Sequence, residues 1–124
     1  MEPTSISEND YVHQVLAAYR QTPTTTGRIY RQDRLLAAQL HRRGIPLTVV
    51  ENALVLGAYR RLYRDLDAPP LAPVRSLHYF QGLIEEILAM KVCPPGYFPY
   101  LRYRIQTFEQ SKQRFLQAMR SQQT

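Results

Sequence analysis

Two short stretches of this chain interleave arginine with aromatic rings. They are Tyr59-Arg60-Arg61-Leu62-Tyr63-Arg64 and Tyr97-Phe98-Pro99-Tyr100-Leu101-Arg102-Tyr103-Arg104. Arginine carries a planar fork of donors that fits phosphate oxygens and base edges. Tyrosine stacks on bases or donates a hydrogen bond to a nucleic-acid backbone. The same two residue types are enriched at protein–protein hot spots, and a tyrosine can simply close the edge of a helical core. Nucleic-acid contact, protein contact and core edge therefore stand as three readings of these clusters. Other chemistry finds less support. His13, His41 and His78 are scattered and Cys93 stands alone, so no set has the spacing of a metal site. Cys93, beside Pro94-Pro95, reads as a buried or loop thiol and not as a nucleophile. Glu85 and Glu86 are adjacent, which on a helix points them about 100° apart, so they cannot work as a carboxylate pair. The five glycines are isolated and form no phosphate-cradling loop. The expectation is a non-enzymatic protein without cofactor or metal.

The charge that would support nucleic-acid binding is unevenly placed. Over 124 residues, 14 Arg and 2 Lys oppose 4 Asp and 6 Glu, a net +6. Residues 1–19 hold Glu2, Glu8 and Asp10 and no base. Residues 20–64 hold nine Arg (20, 28, 31, 34, 42, 43, 60, 61 and 64) against Asp33 and Glu51, a net +7. A basic stretch of this kind draws a polyanion electrostatically. Arginine usage also rises with genomic GC content, and single arginines often only solubilise a helix. Hydrophobic residues at 44% and charged residues at 21% describe a chain that folds. No apolar run approaches the ~20 residues of a membrane span. The N-terminal Met1-Glu2-Pro3-Thr4-Ser5 is not the start of a secretory signal, and one cysteine makes no internal disulfide. A cytoplasmic location is expected.

The elements that must position these residues read as five helices in one domain over 1–124, with flexible ends at 1–6 and 121–124; no period-2 alternation calls for a strand. The first helix spans about 8–20, with Ser7 as its cap and Asp10 completing a capping box. Its apolar stripe combines Tyr11, Val12, Val15, Leu16, Ala18 and Tyr19. A loop follows over 21–27. The second spans about 28–43, burying Ile29, Leu35, Leu36, Leu40 and the Ala37-Ala38 pair and exposing Arg28, Arg31, Arg34, Arg42 and Arg43; Gly44 stops it. The third spans about 48–64 and opens on Thr48-Val49-Val50-Glu51, a capping-box pattern, with Pro46 just upstream. The Asp65–Pro73 stretch is a stiff linker. The fourth spans about 76–91, capped by Ser76, with Leu77, Phe80, Ile84, Ile87 and Leu88 inward. The fifth spans about 99–120. Its Leu101, Ile105, Phe108, Lys112, Phe115 and Met119 are spaced 4, 3, 4, 3, 4, a seam for bundle packing or a short coiled coil.

Residues 35–54 resemble a helix-turn-helix, with a small-residue helix, a glycine turn, an apolar Ile45 and a second helix. The likeness covers about 20 residues. It departs from the usual pattern at Leu40, where a small residue is expected, and at Arg43 before the glycine. It implies DNA docking by the 48–64 helix, with Thr48, Glu51 and Asn52 nearest the bases. Against this, Ala53–Tyr59 is apolar all round, the pattern of a central buried helix.

The sequence thus predicts a compact all-α bundle of about five helices with a helix-turn-helix-like hairpin and a central apolar helix. Its expected function is that of a small bacterial-type nucleic-acid-binding protein, for double-stranded DNA first and RNA second. The contacts would come from Arg28, Arg31, Arg34, Arg42, Arg43, Thr48, Asn52, Arg60, Arg61, Arg64, Arg102 and Arg104. A homodimer through the C-terminal seam would suit a two-fold operator. The alternative is an adaptor that holds a protein partner of a larger complex through its Tyr/Arg surfaces. No membrane is involved in either reading.

Overall fold

Ser7 opens the first helix by accepting the Asp10 amide hydrogen on its hydroxyl at 3.1 Å, which satisfies one of the amides a helix start leaves orphaned. The computed structural model describes residues 6–64, 69, 71–90 and 93–122. Expectations for residues 1–5 and 123–124, and for most of the Asp65–Pro73 linker, lie outside the described residues. Helix α1 (Glu8–Gln21) buries Tyr11, Val15, Leu16 and Tyr19, the stripe expected from spacing. Its C-terminal carbonyls are taken by the threonine loop. Thr22 Oγ1 donates to the Ala18 carbonyl at 2.7 Å, and Thr25 Oγ1 to the Thr22 carbonyl at 3.0 Å.

Helix α2 (Arg31–Arg42) starts three residues later than the pattern of arginines suggests. The reason is Asp33. Its carboxylate accepts the Tyr30 amide hydrogen at 2.9 Å, which makes Tyr30 the cap and leaves Arg28 in the extended stretch before the helix. Leu36, Ala37 and Leu40 are buried, but Leu35, expected inside, is 60% exposed, since it lies about 100° around the helix from Leu36. Gly44, at φ +73, ends α2 as expected. The Gly44 amide bonds the His41 carbonyl and the Ile45 amide bonds the Leu40 carbonyl, at 3.0 and 3.1 Å, a Schellman closure.

Helix α3 (Leu47–Leu62) is the central helix. It packs against α1, α4 and α5, with Val50, Ala53, Leu54, Leu56, Gly57 and Ala58 buried. The expected Thr48–Glu51 capping box is not formed. The helix begins at Leu47 because the Pro46 carbonyl already accepts the Val49 and Val50 amides, so Thr48 lies inside the first turn and is exposed. The fourth element is a 3₁₀ turn (Leu77–Phe80) that runs into α4 (Gln81–Leu88), not a single α-helix over 76–91. Ser76 caps it as expected, accepting from the His78 amide. Leu77, Phe80 and Ile84 are buried, whereas Leu88, at the helix end, is exposed. Helix α5 (Tyr97–Gln122) is the longest element. The result is an all-α bundle of five helices, with one isolated bridge between Thr25 and Val74 among the described residues. No described helix is long and apolar enough to cross a membrane.

Two core clusters follow from this order. The larger unites α1, α2, the first half of α3 and the 3₁₀–α4 unit; the smaller joins Leu56 of α3 to Phe98 and Leu101 of α5. Asp33 ties the larger one together. Fully buried, it accepts from Ser76 Oγ at 2.8 Å and from the Leu77 amide at 2.9 Å, in addition to Tyr30.

Candidate nucleic-acid interface

Most of the expected contact residues are held by the chain itself. Arg42 chelates Glu8 through Nε and Nη2 at 3.0 and 3.4 Å, and Arg43 pairs with Glu85 at 3.0 Å. Arg60 binds the Glu86 carboxylate through both terminal nitrogens, with Nη1 to Oε2 at 2.9 Å. That hydrogen bonding raises the Arg60 guanidinium and lowers the Glu86 carboxyl from their ordinary pKa values. Arg61 donates to the Ala72 carbonyl and lies 5.3 Å from the Tyr79 ring centre. Arg64 donates to the Pro69 carbonyl at 2.7 Å. On α5, Arg102 donates to Asn52 Oδ1 at 3.2 Å. Arg104 donates to the Tyr100 hydroxyl at 2.8 Å and lies 4.5 Å from the Tyr63 ring centre, contacts that raise its pKa, those to Tyr63 and then Tyr100 foremost. The arginines of the two Tyr/Arg clusters thus tie α3 to α5, to α4 and to the segment before it, while Tyr100 and Tyr103 stay exposed. Solvent-exposed pairs of this kind each add up to about 1 kcal/mol.

Arg28, Arg31 and Arg34 differ. All three are exposed, and their side chains make no hydrogen bond or ion pair among the described residues. Arg31 and Arg34 lie in the first turn of α2, where the helix dipole is already positive, so cations there cost stability unless an anion comes from outside. Asp33, in the same turn, is buried and engaged by three donors. The fold gathers two further arginines at this end. The Thr26 amide donates to the Val74 carbonyl at 2.9 Å and the Val74 amide to the Thr24 carbonyl at 2.8 Å. That bridge joins the segment leading to Arg28, two residues beyond Thr26, to the segment leading to exposed Arg75, one residue beyond Val74. Across the α1–α2 contact, Arg34 and Arg20 share the wall of a hollow of about 360 Å³ with Asn9 and His13.

Arg20 and Arg75 were not among the residues expected from sequence. A signal for Arg20 exists: Asn9, His13, Leu16 and Arg20, spaced 4, 3, 4, form one face of α1, and all line the hollow. Arg75 has no local signal, because its place depends on the Val74 bridge. Thr48 is exposed at the start of α3, but Asn52 is half-buried and engaged by Arg102. The buried girth of α3 leaves it no continuous polar face to enter a groove. Among the described residues no three His, Cys, Asp or Glu side chains group so as to hold a metal ion. Comparison with protein families, with curated sequences and with solved structures finds no match to this chain.

Proposed function

We propose that this protein binds nucleic acid, double-stranded DNA foremost, through phosphate contacts from Arg20, Arg28, Arg31, Arg34 and Arg75, without catalysis. The observation that carries this reading is the contrast among arginines. Those near α3 are engaged by carboxylates, carbonyls, hydroxyls or an amide oxygen of the same chain. Arg28, Arg31 and Arg34 have no such acceptor among the described residues, and Arg31 and Arg34 stand at a helix end that repels them. A row of phosphates supplies the missing acceptors. The mode is backbone docking and not base reading by α3. Cytoplasmic action on a bacterial-type chromosome belongs to the same proposal.

Fluorescence anisotropy with a labelled duplex, a single strand and a duplex RNA tests it. Binding to the duplex should fall with salt at a log–log slope between about −2.7 and −4.5, for three to five neutralised phosphates at about −0.9 each. A basic face made of all nine central arginines would give about −8. Replacing Arg28, Arg31 and Arg34 together by Glu should abolish binding, whereas Arg60→Gln should change affinity by less than about threefold. No anisotropy change with any of the three at low salt defeats the proposal.

A second reading, an adaptor for a protein partner, is favoured by Tyr100 and Tyr103, which are 50% and 62% exposed on the outer side of α5. A salt-insensitive complex that survives the Arg28/Arg31/Arg34 replacement would support it.

A further inference from the structure

Helix α5 outruns the body it packs on. Leu101 and Ile105 are buried against α3, yet every side chain described from Glu109 to Arg120 is exposed, Leu116 and Met119 among them. A 26-residue helix with its last dozen residues in water does not hold itself by propensity alone, since helical stability in proteins comes chiefly from a packed face.

The face available is specific. Arg102, Ile105, Glu109, Lys112, Leu116 and Met119 are spaced 3, 4, 3, 4, 3 and lie on one stripe of the helix. This stripe is offset from the 101–119 seam expected from sequence, half of which α3 already covers. Its upper end borders a groove of about 370 Å³ floored by Leu54, Val55, Ala58 and Ile105, with Glu51 and Glu109 on its walls. Its lower end carries Leu116 and Met119 beside the cations Lys112 and Arg120. One end is an apolar trough walled by two acids and by Arg102, which Asn52 engages, and the other an apolar ridge with bases.

We propose that α5 pairs antiparallel with α5 of a second copy of this chain, about a two-fold axis passing between Gln110 and Ser111. Placed so, the stripe matches itself. Ile105 faces the partner's Leu116, Glu109 faces the partner's Lys112, and Arg102 lays its stem along the partner's Met119. Each pairing occurs twice by symmetry. The heptad places of an antiparallel coiled coil fall in register without a break over residues 102–119, about 26 Å of helix. Leu116 and Met119 then enter the trough beside Leu54 and Val55 of the other copy, with Arg120 toward its Glu51. A foreign helix has no reason to reproduce this self-complementarity in charge and shape. The two Glu109–Lys112 pairs at the axis fix register and direction, as polar groups within apolar seams do.

Sedimentation equilibrium on the full chain tests the arrangement, with circular dichroism to confirm the helix content of each variant. The wild type should sediment as a dimer. Glu109→Lys puts like charges opposite each other twice, and so does Lys112→Glu; each should weaken the dimer by about tenfold or more. An equimolar mixture of the two variants restores both opposite-charge pairs between unlike chains, so heterodimer should reappear. Recovery on mixing cannot come from a change within one helix, because each chain keeps its own defect. Leu116→Glu should also give monomer. A wild type that stays monomeric at its solubility limit overturns the proposal, and so does a mixture that stays monomeric when each single variant is monomeric. None of these measurements involves nucleic acid, so they stand apart from the proposed function.

Discussion

Asp33 is the residue on which the α2 side of the fold depends most. In sequence it is one of two acids among nine arginines, yet no cation among the described residues engages it. It spends its charge on two amides and a hydroxyl that start α2 and the 3₁₀ turn. Asp33→Ala removes the carboxylate that accepts all three hydrogen bonds, leaves three donors without it in a buried place, and should cost about 3 kcal/mol, a fall in Tm of about 10 °C by calorimetry. Ser76→Ala, which removes one donor of the three, should cost about 1 kcal/mol. Tyr11 makes a comparable statement about pH. Burial pushes its phenol from the ordinary 10 up to about 12, and its hydroxyl donates to the Ile45 carbonyl at 2.8 Å. The folded state thus favours the neutral phenol. That contribution is complete below pH 10, where the unfolded phenol is also neutral, and is lost as pH rises through 12. Two pKa units correspond to about 3 kcal/mol. Urea unfolding at pH 8 and pH 11 should show about half of this loss, since pH 11 lies midway between the unfolded and folded values. Tyr11→Phe should lower stability at pH 8 by about 1 kcal/mol and make the alkaline fall shallower. Tyr19, raised by burial and then by Asp33, keeps part of it.

At the scale of elements, α3 decides what the hairpin can do. The glycine turn after α2 forms as a helix-turn-helix would need, with Gly44 left-handed and Ile45 tucked in. The two helices then take different partners: α2 lies along α1, and α3 is surrounded by α1, α4 and α5. The run Ala53–Tyr59 foretold this, because a helix without a polar side must be covered on all sides. Gly57 is the closest point of that packing. A Cβ there would stand 2.6 Å from Phe80 Cε1 and 2.8 Å from Leu83 Cδ1. Gly57→Ala should therefore destabilise by about 1–2 kcal/mol, overpacking outweighing the gain in helix propensity of about 1 kcal/mol. Gly82, with nothing within 4 Å of the same position in α4, should respond oppositely, and Gly82→Ala should stabilise by up to about 1 kcal/mol. Chemical denaturation of the two variants side by side gives both signs.

For the whole molecule, the +6 charge divides into arginines that hold the bundle and arginines that face outward at the α2 start. The Arg42–Glu8, Arg43–Glu85 and Arg60–Glu86 pairs each join segments at least 26 residues apart, so the acids at 8, 85 and 86 cancel part of the central positive stretch in space though not in sequence. What remains is a smaller basic patch than the sequence tally suggests. The α5 pairing would make two such patches per assembly. It also makes stability depend on concentration: the Tm of the wild type should rise with protein concentration, and that of Lys112→Glu should rise less, by calorimetry over a hundredfold range.

The sequence by itself determined the helices, the apolar stripe of α1, the stop at Gly44 and the centrality of α3. Each of these follows from spacing within one segment, where burial and helical periodicity are tied. It could not determine which arginines were spent, because an ion pair such as Arg60–Glu86 depends on how α3 crosses α4. Nor could it join the segment of Arg75 to that of Arg28, which rests on a bridge between Thr25 and Val74, 49 residues apart. It marked a C-terminal seam but chose the 101–119 stripe. Only tertiary packing, by covering Leu101 and leaving Leu116 bare, shows which stripe of α5 remains open to a partner.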